Sequence, residues 1–274
     1  MTILDEIAGK ASLRVAKAKE KAPPDLVREK ALEAYQERIG DACIFDAKPF
    51  EKALAAPGLS FICEVKKASP SKGIIAESFP YMEIAKEYEA AGASAISVLT
   101  EPEYFLGSDR YLQEIAAEVN IPVLRKDFVI DPYQIYEARL LGAHAVLLIA
   151  ALLDAKALAA YVKTASEVGL SALVEIHSEA EAEQALEAGA KIIGINNRDL
   201  KTFKVDTGVT ARLKKLIPAG IITVAESGIK SADDAKAMRE IGVDAVLIGE
   251  SLMRSADKKQ FLGELKAAAD EGFR

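Results

Sequence analysis

Apolar residues along this chain recur in two alternating rhythms. From residue 59 onward, short and almost continuously apolar runs lie near 60–66, 94–99, 121–125, 144–149, 171–176, 191–195, 221–225 and 244–248. Longer stretches separate them, in which apolar positions return every three or four residues, as in 80–91, 108–119, 132–141, 154–168, 178–188, 207–216 and 231–241. The first pattern predicts buried strands and the second amphipathic helices. Several helical stretches end in glycine followed by a small or branched apolar residue: Ala91-Gly92-Ala93, Leu141-Gly142-Ala143, Ala188-Gly189-Ala190 and Ile241-Gly242-Val243. Glycine there supplies a left-handed cap before the next strand opens. Strand and helix alternate roughly eight times, and strands this apolar suit a parallel sheet covered on its faces. The expected fold is therefore α/β, a (β/α)8 TIM barrel. An open doubly wound sheet is the alternative; it favours a Gly-x-Gly-x-x-Gly first turn, whereas this chain has Ser69-Pro70-Ser71-Lys72-Gly73.

The first 58 residues follow a different pattern. Ile3, Leu4, Ile7, Ala11 and Val15 form one stripe of a helix over 1–20, which Pro23-Pro24 ends. A second helix is expected over 25–38 and a third within 48–56, before Pro57-Gly58. Residues 1–58 are expected to be an N-terminal helical extension packed on a barrel of residues 59–274, the whole forming one structural domain. Asp5-Glu6 and Lys17–Lys21 read as solvated helix faces.

Composition narrows the function classes. The chain has 274 residues, 50% of them hydrophobic and 28% charged, and a net charge of -7. That balance argues against general nucleic-acid binding but leaves room for a local cationic pocket. Cys43 and Cys63 make neither a metal pattern nor a disulfide framework. The first residues carry acids and no apolar core, so they do not read as a signal peptide. No run approaches the roughly 18 apolar residues of a spanning helix. A cytoplasmic protein with no membrane partner is expected.

In a barrel of this kind, chemistry sits where the strands end. The first strand ends in Glu64 and Lys66, which share a face because they are two apart. The second runs into Thr100-Glu101, the third ends in Arg125-Lys126-Asp127-Phe128, and the fourth stays apolar through Leu147 and Ile149. The fifth ends in Glu175-Ile176-His177, the sixth in Asn196-Asn197-Arg198, the seventh in Glu226-Ser227-Gly228 and the eighth in Gly249-Glu250-Ser251. Glu64, Glu175 and Glu226 would then face Lys66, Lys126 and Arg198 on one rim. Such groups shift one another: a lysine near another cation or out of water falls toward neutrality, and a glutamate in an apolar cup rises. General acid–base work is the expected use. The last two strand ends, with Ser227, Gly228 and Gly249, are the expected phosphate site, where small residues let backbone N–H groups approach. Glu250 is expected to offer its N–H and not its carboxylate. A metal site is not expected, His144 falls at the opposite rim, and Ser227 has no His–Asp partner for a hydrolase triad.

These motifs together resemble the indole-3-glycerol phosphate synthase family of tryptophan biosynthesis over essentially the whole chain. The carriers are Glu64-Val65-Lys66-Lys67-Ala68-Ser69-Pro70-Ser71, Leu124-Arg125-Lys126-Asp127-Phe128, Leu173-Val174-Glu175-Ile176, Ile193-Gly194-Ile195-Asn196-Asn197-Arg198-Asp199-Leu200 and Val224-Ala225-Glu226-Ser227-Gly228-Ile229. The resemblance implies ring closure, decarboxylation and dehydration of 1-(2-carboxyphenylamino)-1-deoxyribulose 5-phosphate, with no cofactor. It implies Lys126 as the acid for ring closure, Glu175 as the general base, and Glu64 with Lys66 as a supporting pair. Asn196 and Ser227 join this catalytic set, and Ser227 is shared with the phosphate site of Gly228, Gly249 and Glu250. Ser69, Arg198 and Glu226 are implied as substrate-binding, with Phe105, Phe128, Leu147 and Leu200 as an apolar wall. Two departures stand out: Glu250 replaces a small polar residue, and Ala68 removes a cation that some relatives carry. The implied partner is a small phosphorylated substrate, and the implied assembly is a monomer. Other readings remain open at this level: a phosphoribosyl isomerase, a Schiff-base lyase using Lys126 or Lys66 as a neutral amine, or a non-catalytic barrel that binds phosphorylated metabolites.

Overall fold

A computed structural model describes residues 2–40 and 48–271, with the backbone alone for 38–40. Met1 and Cys43 lie outside the described residues. Three helices lead the chain: α1 (Ile3–Lys21), α2 (Pro24–Gly40) and α3 (Pro49–Leu54). Thr2 and Asp5 form a reciprocal cap at the start of α1, and prolines open α2 and α3, where the missing N–H costs nothing.

The remainder alternates strand and helix. β1 (Ser60–Val65) is followed by a small hairpin, β2 (Ala68–Ser69) and β3 (Gly73–Ile74), and by α4 (Tyr81–Ala90). Then come β4 (Ala95–Leu99), α5 (Asp109–Glu118), β5 (Val123–Lys126), α6 (Pro132–Leu140), β6 (Ala145–Ile149) and α7 (Ala155–Glu167). β7 (Ser171–Ile176), α8 (Glu179–Glu187), β8 (Ile192–Asn196), α9 (Gly208–Leu213), β9 (Ile222–Glu226) and α10 (Ala232–Ile241) follow. β10 (Ala245–Ile248), α11 (Glu250–Arg254) and α12 (Lys258–Asp270) end the described chain. The eight long strands pair in parallel in the order β1-β10-β9-β8-β7-β6-β5-β4, and β4 returns to β1 to close the barrel. The fold is thus the expected (β/α)8 barrel, not the open sheet. Every strand lies within two residues of its expected span. The hairpin β2–β3, α11 and α12 were not foreseen.

Alternation along the strands sorts the side chains into two cores. Outward residues such as Phe61, Cys63, Val98, Val146 and Val174 pack beneath the helices. Inward residues fill the barrel: Ile62, Ala95, Leu124, Ala145, Leu173, Ile192, Val224 and Ala245. Phe50 and Leu54 of α3 join this inner cluster and are fully buried. They floor the barrel at the end where its strands begin.

The leading helices are tied down by charge as well as by packing. Arg14 of α1 meets Asp127 at the end of β5 through two hydrogen bonds of 2.8 and 3.2 Å. Lys19 pairs with Asp131, the cap of α6, at 2.6 Å. Tyr104 donates to Glu6 at 2.6 Å. The Glu6 and Lys19 positions, expected to be merely solvated, are therefore tethers. α2 runs along α6, with Val27 against Tyr133 at one end and Arg139 donating to the Ala34 carbonyl at the other.

Behind the rim, β5 alternates sharply. Arg125 is only 2% exposed, and it meets Asp127 at 3.6 Å, Asp109 at 2.9 Å and the Gln134 carbonyl at 2.9 Å. Thr100 also donates to Asp127, at 2.7 Å. Removing one member of a buried ion network strands the others out of water. Arg125→Met is expected to cost about 3 kcal/mol of stability, read as a lower urea midpoint at unchanged slope. A midpoint equal to that of the wild type would show that this network does not hold the strand end.

Candidate active site

The inward positions at the finishing ends of the strands open on a cavity of about 560 Å³. Every expected site residue lines it: Glu64, Lys66, Ser69, Phe105, Lys126, Phe128, Leu147, Glu175, Asn196, Arg198, Leu200, Glu226, Ser227, Gly228, Gly249 and Glu250. Ile3, Leu4 and Ile7 of α1 add an apolar side that the strand ends alone do not reveal.

Lys126 is the hub. Its Nζ lies 2.5 Å from Glu226 Oε2 and 3.3 Å from Glu175 Oε2. Burial works against its charge, but Glu226, Glu175 and Glu64 outweigh burial and hold the ammonium well above the ordinary lysine range. The expectation that a rim lysine falls toward neutrality therefore fails at Lys126. Three carboxylates surround it, and their combined pull exceeds the cost of burial.

The three carboxylates differ. Burial raises each, and what each meets decides the outcome. Glu64 pairs with Lys66 at 2.6 Å and accepts from Ser97 at 3.4 Å, and the pull of Lys66 and then Lys126 overcomes burial to hold it below the usual carboxylate range. Glu64 is 3% exposed, so its ion pair with Lys66 is rooted in the interior. Glu175 is also pulled down against burial, by Lys126, His177 and Asn196. Glu226 goes the other way. Burial, with Glu175 and Glu64 nearby, outweighs Lys126 and pushes it up to about 7. Its Oε1 is buried without a hydrogen-bond partner. Glu226 thus holds a proton at mildly acidic pH while Glu175 does not.

Orientation comes from neighbours on the next strands. Asn196 donates to Glu175 Oε1 at 3.1 Å, and its own oxygen accepts the Arg198 N–H at 3.0 Å. Glycine makes room at two inward positions. A Cβ on Gly194 would collide with Glu226 Oε1, and one on Gly249 would stand 2.5 Å from Glu64 Oε1 and 2.8 Å from Lys66 Nζ. Gly249 thus clears space for the Glu64–Lys66 pair as well as for the phosphate approach expected of it. The part played by Gly194 was not foreseen.

The apolar wall has Phe105 and Phe128 with ring centres 6.0 Å apart. Glu101 positions Phe105 from below: it is fully buried and accepts the N–H groups of Glu103, Tyr104 and Phe105. Opposite, Ser227 has φ of 64° and Gly228 of 96°, so two successive residues take the left-handed conformation. Ser251 donates to the Ile229 carbonyl at 2.8 Å and joins this turn to the start of α11. The Glu250 carboxylate meets Lys72 at 3.5 Å and Arg254 at 3.2 Å. Lys72 and Lys230 also line the cavity and were not singled out from sequence. Among the described residues, no group of three His, Cys, Asp or Glu side chains converges to hold a metal ion. His144 accepts the Val123 N–H at 3.1 Å, at the barrel's starting end.

Comparison with known proteins gives consistent results. Residues 4–265 match the family model described as indole-3-glycerol phosphate synthase. An indole-3-glycerol phosphate synthase of Ruminiclostridium cellulolyticum is 54% identical over 97% of this chain and 100% of its own length. One of Endomicrobium trichonymphae is 52% identical over 96% of this chain and 99% of its own. Among solved structures, 3-hexulose-6-phosphate synthase from Salmonella typhimurium superposes with a TM-score of 0.60 at 16% identity, covering 77% of this chain and 98% of its own. That likeness speaks for the barrel alone.

The elevated Glu226 has a consequence for stability. Its folded pKa, about 7, lies above the ordinary 4.5. Its contribution is therefore fully present below about pH 4.5, shrinks as pH rises toward 7, and is flat above. Glu226→Gln escapes this loss. The variant is expected to gain thermal stability relative to the wild type between pH 5 and pH 8. Equal differences in melting temperature at both pH values would contradict the assignment.

Proposed function

The chain belongs to the indole-3-glycerol phosphate synthase family, and we propose the residues that carry its chemistry. The protein is a carboxy-lyase of tryptophan biosynthesis. It converts 1-(2-carboxyphenylamino)-1-deoxyribulose 5-phosphate to indole-3-glycerol phosphate by ring closure, loss of carbon dioxide and loss of water.

We assign Lys126 as the general acid. Ring closure places negative charge on the substrate's ketone oxygen as the aromatic carbon attacks, and a charged, positioned ammonium supplies the proton. The observation that carries this assignment is the burial of Lys126 among Glu226, Glu175 and Glu64, which keeps it protonated. Loss of carbon dioxide restores the aromatic system without a protein acid. Loss of water needs a base for the ring proton and an acid for the departing hydroxyl. Glu175, held ionised and oriented by Asn196, is assigned as the base. Glu64 and Lys66 support the acid side. Ser227 is placed in the catalytic set and also with Gly228, Gly249 and the Glu250 N–H at the phosphate. The contacts of the Glu250 carboxylate with Lys72 and Arg254 support a backbone role at that position.

Ser69, Arg198 and Glu226 are assigned to the polar groups of the substrate. Phe105, Phe128, Leu147 and Leu200 are assigned to its aromatic ring. We read residues 1–58 as an extension packed on a barrel of 59–274, within one structural domain. We further place the protein in the cytoplasm, as a monomer acting without a cofactor. No helix among the described residues is long and apolar enough to cross a membrane.

A Schiff-base lyase needs a neutral amine, and the charge held on Lys126 speaks against one. Purified protein incubated with the carboxyphenylamino-deoxyribulose phosphate should yield indole fluorescence and no borohydride-trapped adduct. Lys126→Met should lower turnover by about 100-fold or more, while inorganic phosphate still binds. A trapped adduct, or near-normal turnover of Lys126→Met, would overturn the role given to Lys126.

A further inference from the structure

His177 stands on the same face as Glu175, two residues on, and the chemistry assigned above gives it no task. Its ring lies between two carboxylates. Nε2 is 3.4 Å from Glu175 Oε1, and Nδ1 is 3.3 Å from Glu181 Oε2. Glu181 is itself fixed, because it accepts the His177 backbone N–H at 2.8 Å and the Ser178 hydroxyl at 3.1 Å. The His177 side chain is 15% exposed, and its buried Nε2 has no hydrogen-bond partner, so the Glu175 carboxylate is what that atom meets. A ring anchored behind by a fixed carboxylate and turned toward a reacting one in front is arranged to orient that second group.

We propose that His177 is a positioning residue for this reaction: anchored by Glu181, it presents an imidazolium to Glu175 Oε1 and keeps that base ionised and aimed at the substrate. The inference rests on the role of base assigned to Glu175. Charged and polar groups from several strands set the surroundings of the base. Lys126 from β5 meets Oε2, and Asn196 from β8 meets Oε1. Glu226 from β9 and Glu64 from β1 act on the same lysine. His177 itself faces Glu175 on its own strand end and Glu181 from α8. Burial lowers its affinity for a proton, but the two glutamates outweigh burial and push it up to about 10.

The chain has two histidines, so ring signals are simple to assign by NMR. In substrate-free protein, the signal absent from His177→Gln should remain that of an imidazolium well past pH 7 and titrate near 10. In Glu181→Gln it should titrate at lower pH. In turnover, His177→Gln should lower kcat with little change in KM and move the acid limb of the kcat profile upward by about one pH unit, the scale on which a neighbouring charge moves a carboxylate. Glu181→Gln should do the same to a smaller extent. A wild-type His177 that titrates near pH 6.5 overturns the proposal, and so does an unmoved acid limb in both variants. If the wild-type protein makes no indole product, the function fails, while the NMR titration still decides whether the pairing exists.

Discussion

The barrel is organised around one buried ammonium. Lys126 can stay charged out of water only because carboxylates close around it, Glu226 and Glu175 in contact and Glu64 beyond. Each of these sits on a different strand, so the sheet must be closed before the charge is satisfied. Alternation on β5 does the rest. Lys126 points in, while Arg125 and Asp127 point out into an ion network that reaches Asp109, Thr100 and Arg14. The Lys126 side chain is thus held from behind by a structural pair on either side of it in sequence. Glycines at 194 and 249 leave the space that the glutamates and Lys66 require.

The excess of acids over the central cation also divides their labour. One lysine cannot hold three nearby carboxylates equally, so the least compensated keeps a proton. That one is Glu226, whose Oε1 has no hydrogen-bond partner, whereas Glu64 accepts from Lys66 and Glu175 accepts from Asn196 and faces His177. A carboxyl that keeps its proton in mildly acidic solution, an ionised carboxylate and an ammonium therefore stand within a few ångströms of one another. That is the requirement of a reaction that must both give and take protons at adjacent atoms.

Much of this was legible in the residues alone, because period and punctuation are local. The eight strands were visible as apolar runs, and the caps at Gly92, Gly142, Gly189 and Gly242 carry the positive φ that their positions demand. The rim was legible because alternation sends Glu64, Lys126, Glu175, Asn196 and Glu226 inward once a barrel is assumed. What stayed hidden depends on partners far along the chain. Arg14 and Lys19 looked like any solvated helix charges until Asp127 and Asp131 met them. The Lys126 charge could not be judged from its strand, since its sign of shift depends on how many acids the other strands bring. The hairpin at 68–74 was hidden for another reason: its strands are two residues long and too short to show a period.

The leading segment runs the full height of the barrel. α1 borders the mouth, α2 descends along α6, and α3 sets Phe50 and Leu54 into the floor. The leading segment is therefore a strap, fastened at the end of β5, at the start of α6 and at the start of β7. Its fastenings join residues more than a hundred positions apart, so their loop-closure cost is met late in assembly. Its two ends thus seal the vessel above and below, α1 at the brim and α3 at the base.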